Sequence, residues 1–385
     1  MINISSVLDN DMYKFSMGNM VLRLFPRLNV QYDLINRGCT QFPDWFDATV
    51  RDSLLRLHHI GLRPEEKRFL LRKCPYLDPV FVDFFDGYRY NPSEVSLSQE
   101  DGKFNVRIRG PWYRTIFWEV ILMAIISEQY FISTAAKCDL PDARQKRLDE
   151  KRDFIKDLGV TVADFGTRRR HSLGVHKEVV AGLRDVISGT SNVYLAMLHD
   201  LKPIGTQAHE LFMAFAALHG YRMANKITME KWVKIFRGDL GIALSDTFTT
   251  DVFLRSFDKK FAKLFDGVRQ DSGDPIEQAE KIVNHYDSLG IDPTTKTIVF
   301  SDSLNLDKVA TIHEWCKGKI KDSYGIGTFL TNDVGVKPLN FVIKLTAVEI
   351  DGRWVPTVKL SDTPGKHTGP SEEVELCKRV LRIEE

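Results

Sequence analysis

An excess of charge of either sign is almost missing from this chain. Lys and Arg total 53 against 52 Asp and Glu, a net charge of +1 with histidine neutral. No global field therefore draws it toward nucleic acid or an anionic bilayer, and neither is expected as a partner. Cysteine is scarce: Cys39, Cys74, Cys138, Cys316 and Cys377 stand far apart, with no C-x-x-C pair. That odd, unspaced set excludes a disulfide framework and reads as the reduced thiols of a cytoplasmic protein. The opening residues lack a basic stretch followed by an apolar one, so no secretory leader is expected. Long apolar runs are absent as well. The most apolar segment, Ile116 to Phe131, contains Glu119, Glu128 and Gln129 and is short for a bilayer span. It reads as a buried helix.

What is present is a globular composition, 43% apolar and 27% charged over 385 residues, long enough for two cores. The first part mixes elements. Asp11 to Phe25 has helical spacing and stops at Pro26, Val30 to Arg37 and Lys103 to Arg109 alternate like strands, and Arg63 to Phe85 looks mainly helical. From about Thr161, seven short apolar runs end in small or polar residues, at Thr167, Thr190, Thr206, Thr247, Gly273, Ser303 and Thr328. Most are followed by an amphipathic helical pattern, among them residues 208–218, 275–289 and 306–317. Strand-then-helix repetition predicts a parallel sheet closed, or nearly closed, into a barrel, with a doubly wound open sheet as the alternative. Near the end, Phe341 to Ile350, the turn Asp351-Gly352 and a second alternating run from Arg353 predict a β-hairpin that rejoins the N-terminal strands.

Barrel enzymes carry their chemistry on the loops that follow the strands. Here those positions hold Asp164, Phe165, Arg168, Arg169, Arg170, Ser191, Asn192, His209, Asp246, Arg269, Asp271, Asp302, Gly325, Gly327 and Thr328. No lysine stands among them, which counts against Schiff-base chemistry. Gly325-Ile-Gly327-Thr328 permits close backbone approach and can cradle a phosphate, although a bare tight turn has the same composition. Three arginines in a row, Arg168 to Arg170, sit badly at a helix N-terminus, so they are read as an anion site rather than a solvated face. Asp274 before Pro275 is a helix N-cap and nothing more. That leaves Arg269 and Asp271 for a cavity, and Asp302, between Ser301 and Ser303, for sugar hydroxyls or a Mg²⁺ shared with a substrate phosphate. His209, next to Glu210, is the one histidine at a strand end, and a lone histidine is more often structural than catalytic.

Taken in order, Leu8-Asp-Asn-Asp-Met-Tyr13-Lys14, Asn36-Arg37-Gly38, Asp164-Phe-Gly-Thr-Arg-Arg-Arg170, Gly189-Thr-Ser-Asn192, Pro203-Ile-Gly-Thr-Gln-Ala-His-Glu210, Arg269-Gln-Asp-Ser-Gly-Asp-Pro275, Phe300-Ser-Asp-Ser303 and Tyr324-Gly-Ile-Gly-Thr328 resemble the nicotinate phosphoribosyltransferase family. The resemblance runs through nearly the whole chain. It implies an incomplete (β/α) barrel, residues 141–334, beside an α/β sandwich domain formed by residues 1–140 with 335–385. It implies a homodimer with shared active sites, and nicotinate, 5-phosphoribosyl-1-pyrophosphate and ATP as substrates, with Mg²⁺ carried on their phosphates rather than held in a protein cage. His209 matches the family's phosphorylated histidine. Phe165 and the partner subunit's Tyr13 would stack on the pyridine ring, Arg269 would hold its carboxylate and Arg168 would anchor the ring or a phosphate. Asp271 and Asp302 fall to the ribose, Gly325, Gly327 and Thr328 to its 5′-phosphate, Arg37 to pyrophosphate, and Ser303 is counted among the substrate-binding residues. Ser191 stands where nicotinamide-using relatives carry an aspartate; a hydroxyl can donate to a carboxylate that an aspartate would repel.

Overall fold

The computed structural model describes residues 4–136 and 138–383. The fold class is α/β, an incomplete parallel (β/α) barrel with a separate antiparallel sheet. The chain divides into two compact units, Met1–Gly205 with Ile326–Lys344, and Thr206–Gly325 with Leu345–Glu385. That division runs through the stretch expected as one barrel domain.

In the first unit, β1 (Asn29–Asn36), β2 (Val95–Glu100) and β3 (Lys103–Pro111) are antiparallel, with Tyr32 opposite Ile108 and Leu97 opposite Val106. Alternation decides which face of β3 is covered: Phe104, Val106 and Ile108 are buried, while Lys103, Asn105 and Arg107 face out. The stretch read as mainly helical over residues 63–85 holds two helices, Pro64–Lys73 and Pro79–Gly87. Proline explains the break. Pro75 cannot continue the first helix, whereas Pro79 suits the first position of the second, where the Asp78 carboxylate accepts from the Val80 N–H. The apolar segment is longer than its sequence suggested: the helical stretch Trp112–Ser133 has the length and composition to cross a membrane, and 83% of its most apolar window is buried inside the protein. Burial, not shortness, marks it as a core element.

Two short parallel strands, β4 (Val162–Asp164) and β5 (Gly189–Thr190), end the first unit's share of the barrel, with Asp164 beside Thr190. The run Pro203 to Thr206, expected as a further strand, makes only an isolated bridge from Pro203 to Thr190. Proline has no N–H to extend a ladder. Gly205 is also pressed against the start of helix Met12–Leu24, where an added Cβ would lie 2.6 Å from the Tyr13 nitrogen.

The second unit holds β6 (Ile242–Leu244), β7 (Gly267–Gln270), β8 (Thr297–Phe300) and most of β9 (Lys321–Ile326), parallel and in that order, with Leu244, Arg269 and Val299 in register. The described residues therefore contain six parallel strands rather than seven. Helices His209–His219, Pro275–Ser288 and Leu306–Cys316 lie close to their expected limits. Asp274 caps the second, accepting from the N–H groups of Ile276 and Glu277. The hairpin of β10 (Phe341–Ile350) and β11 (Arg353–Pro356) turns at Asp351 and Gly352, whose φ of 50° and 75° are the left-handed values that a two-residue turn of this hand demands.

Candidate active site

In the first unit, the N-terminal segment is stitched onto the end of β5. The Met12 N–H donates to the Ser191 carbonyl at 2.7 Å, and the Val193 and Tyr194 N–H groups donate to Asn10 and Leu8. This brings two carboxylates into the fold. Asp9 takes both terminal nitrogens of Arg170 at 2.7 Å, and the Asn192 amide donates to it at 2.7 Å. Burial alone would raise Asp9, but the Arg170 guanidinium and these hydrogen bonds hold it below the ordinary carboxylate range. Asp11 is also fully buried and accepts the Ser191 hydroxyl at 2.7 Å. Its pKa is raised by that burial, with Arg168 pulling the other way. Asp164, at the end of β4, accepts from the Gly166 N–H and the Thr190 hydroxyl and meets His176 Nε2 at 2.7 Å. Burial pushes Asp164 up, and the His176 contact and hydrogen bonds bring it below its usual value.

The loop after β4 and the loop after β9 are sewn together. The Phe165 N–H donates to the Ile326 carbonyl, the Thr331 hydroxyl to the Gly166 carbonyl, and the Asn332 amide to the Arg169 carbonyl. Phe165 and Arg168 thus share a rim with Gly327 and Thr328, and the Arg168 guanidinium lies 5.9 Å from the Tyr13 ring. The three arginines do not act as one group. They lie in and just after a single 3₁₀ turn, Thr167–Arg169, not at an α-helix N-terminus, and Arg170 is spent on Asp9. The helical-dipole reason for a triple anion site falls with that geometry; Arg168 is the member that remains at the rim. Ser191 is 3% exposed, and its single proton is committed to Asp11. It cannot donate to a ring carboxylate while it holds that bond. Arg37 follows β1 and is exposed.

The second unit assembles a relay on the ends of β6, β7 and β8. His209 opens its helix with Nδ1 3.1 Å from the Thr247 hydroxyl and Nε2 3.0 Å from Asp271 Oδ2. The other Asp271 oxygen lies 3.0 Å from the Arg269 guanidinium and accepts the Ser301 hydroxyl at 2.7 Å. Burial would raise Asp271, but Arg269 first, then the His209 hydrogen bond and charge, hold it well below the usual carboxylate range. Asp246 behaves oppositely: burial, with the nearby Asp271 charge, pushes it up to about 6 against the opposing Lys359 charge. Asp302 pairs with Lys366 at 3.2 Å, Ser303 follows it with a left-handed φ of 51°, and Gly325 is buried within β9. Among the described residues no three His, Cys, Asp or Glu side chains gather as a metal set. Sequence reasoning missed Thr247 as a partner of His209, and it missed Lys359 and Lys366. Both lysines act near strand ends from the distant C-terminal segment, a placement with no local signal. Asp9, Asp11 and His176 were also missed as site-building residues, although the first two lie within the quoted N-terminal motif.

The histidine–carboxylate–arginine relay stands at the ends of parallel strands, where α/β enzymes carry their chemistry. Residues 160–385 match the nicotinate phosphoribosyltransferase (NAPRTase) family, and residues 8–127 match its N-terminal domain. The nicotinate phosphoribosyltransferase of Chromohalobacter salexigens is 52% identical, the match covering 99% of each chain, and that of Desulforapulum autotrophicum is 51% identical over 98% and 99%. Among solved structures, the Porphyromonas gingivalis nicotinate phosphoribosyltransferase superposes with a TM-score of 0.97 at 42% identity, covering 99% of this chain and 100% of that one. The Vibrio cholerae structure gives 0.92 at 35%, covering 99% and 95%. The chain belongs to the nicotinate phosphoribosyltransferase family.

Proposed function

We propose that this protein joins nicotinate to 5-phosphoribosyl-1-pyrophosphate, coupled to ATP hydrolysis, as a cytoplasmic homodimer that recovers nicotinate for NAD synthesis. The observation that carries the reading is His209 held between Thr247 and Asp271, beside Arg269, in a chain that matches the family along its length.

In the transfer, the pyridine nitrogen attacks the ribose C1, the C1–O bond breaks, and pyrophosphate leaves with the electron pair. Positive charge develops on the ribose, so stabilising the departing charge matters more than a general base. Mg²⁺ carried on the substrate phosphates would supply part of that neutralisation. In this reading Asp271 and Asp302 would contact ribose hydroxyls, Arg269 would hold the ring carboxylate, and the Gly327–Thr328 turn would accept the 5′-phosphate.

In the coupled step the ATP γ-phosphoryl passes to His209: a P–N bond forms, the P–O bond breaks, ADP leaves, and water later releases phosphate. An ionised Asp271 fixes the proton on Nε2, which leaves the Nδ1 lone pair, now facing the Thr247 hydroxyl, as the nucleophile.

The test is product formation from 5-phosphoribosyl-1-pyrophosphate and Mg²⁺ with nicotinate or nicotinamide, each with and without ATP. Nicotinate should be preferred and ATP consumed. His209→Ala should retain basal synthesis, lose ATP stimulation and take up no labelled phosphate. ATP stimulation that survives the substitution would sink the coupling.

A further inference from the structure

The glycine turn at residues 325–328 must be rigid if it is to hold a phosphate, and its own closing bonds span one turn, with the Leu330 N–H donating to the Gly327 carbonyl at 2.9 Å and the Asn332 N–H to the Thr328 carbonyl at 2.8 Å. After Gly327 the chain makes a single helical turn, Thr328–Thr331, too short to be stable alone. Its inner side is tied to the loop after β4 through Thr331. The other side is held from helix Pro141–Leu158, where Arg147 Nε donates to the Asp333 carbonyl at 3.2 Å and Lys151 reaches Phe329 itself. Lys151 is buried, 5% exposed, and its ammonium donates to the Phe329 carbonyl at 2.7 Å and to Asp333 Oδ2 at 2.6 Å. The same nitrogen stands 4.5 Å from the centroid of the Phe329 ring. A cavity of about 250 Å³ lies alongside, lined in part by Lys151, Leu148, Val179, Leu330 and Val334.

A buried lysine is costly unless its three protons find acceptors. Here a carbonyl, a carboxylate and a ring face meet the ammonium, and two of the three belong to Phe329, one residue past Thr328. A neutral side chain of the same length would leave the Phe329 carbonyl without this donor and the Asp333 carboxylate with Arg147, 3.8 Å away, in place of Lys151 at 2.6 Å. With a cavity at its side, the turn then has room to move.

We propose that Lys151 is a positioning residue for phosphoribosyl binding: its ammonium fixes the Gly327–Thr328 turn in the shape that accepts the sugar 5′-phosphate. The inference rests on the phosphate reading of that turn. The contacts of Lys151 are to Phe329 and Asp333, so its loss should fall on the substrate that the adjoining turn holds. Lys151→Met keeps the length and removes the charge. It should raise the KM for 5-phosphoribosyl-1-pyrophosphate about tenfold, the scale of one charged hydrogen bond, while the KM for nicotinate stays within about twofold. Asp333→Asn, a milder change, should raise the same KM by a smaller factor. It keeps the test decisive if the first variant does not fold.

Ribose 5-phosphate binding, measured by calorimetry on both variants and the unaltered protein, separates the two layers. An unaltered protein that binds ribose 5-phosphate but makes no nicotinate mononucleotide would end the functional reading, and the clamp would then stand or fall on the ribose 5-phosphate affinity of Lys151→Met. Equal changes in both KM values would reduce Lys151 to a general structural role. An unchanged KM for 5-phosphoribosyl-1-pyrophosphate in a folded Lys151→Met would overturn the clamp.

Discussion

Asp9 and Arg170 are paired with both side chains wholly inaccessible to solvent, and the Asn192 amide fills a further lone pair of the carboxylate. Such a pair is weak support for net stability, because desolvation offsets much of the attraction. Its loss is another matter. Asp9→Ala would strand a guanidinium in the interior, and we expect it to cost about 3–5 kcal/mol in urea unfolding. A cost below about 1 kcal/mol would mean that water or another acid reaches Arg170. The sequence displayed this residue misleadingly, as one of three adjacent arginines with a common purpose. Its partner lies 161 positions away, and no local pattern distinguishes Arg170 from Arg168. The residue-scale reading of Asp274 succeeded for the opposite reason. An N-cap is a contact between near neighbours, so its chemistry is written in four consecutive residues.

At the scale of elements, the strands with clear period or turn chemistry were legible. β1, β3 and the β10–β11 hairpin lie within a residue or two of their sequence signals at most of their boundaries, because alternation and a D-G turn are local properties. Pro203 to Thr206 failed as a strand because its pairing is decided by what it meets. It meets β5 at Gly189, where an added Cβ would lie 2.2 Å from the Lys202 carbonyl oxygen and 2.8 Å from the Ile204 side chain. The close approach permits the bridge between Thr190 and Pro203 and delivers Ser191 to Asp11. Gly189→Ala forces backbone apart and should destabilise the first unit by roughly 2 kcal/mol or more. Limited proteolysis should then find cleavage near residues 200–206. Unaltered stability and protection would show that the bridge is dispensable.

At the scale of the molecule, buried carboxylates set the response to pH in two directions. Asp9, Asp164 and Asp271 have lowered folded pKa values, so each contributes stability present above its unfolded value near 3.8 and lost as pH falls through the folded one. Asp246 is raised from 3.8 to about 6, so its contribution is complete below pH 3.8 and lost as pH rises through about 6. Asp246→Asn mimics the protonated acid. Relative to the unaltered protein it should gain about 2 kcal/mol between pH 4 and pH 8 while leaving the acid-side loss in place. Denaturant titrations across that range test this. A constant difference between the two proteins would show that Lys359 keeps Asp246 ionised throughout.

The sequence by itself determined the class of fold, the family and most of the residues that line the strand ends, because these rest on local periodicity, turn chemistry and ordered motifs. Tertiary structure decided which of those residues are committed elsewhere. It turned Ser191 toward Asp11, spent Arg170 on Asp9, set Thr247 and Asp271 on either side of His209, and brought Lys359 and Lys366 from the C-terminal segment to the carboxylates. The physical reason is the same in each instance. A buried polar group must find a partner wherever the fold offers one, and that partner is set by proximity in space, which sequence separation does not encode.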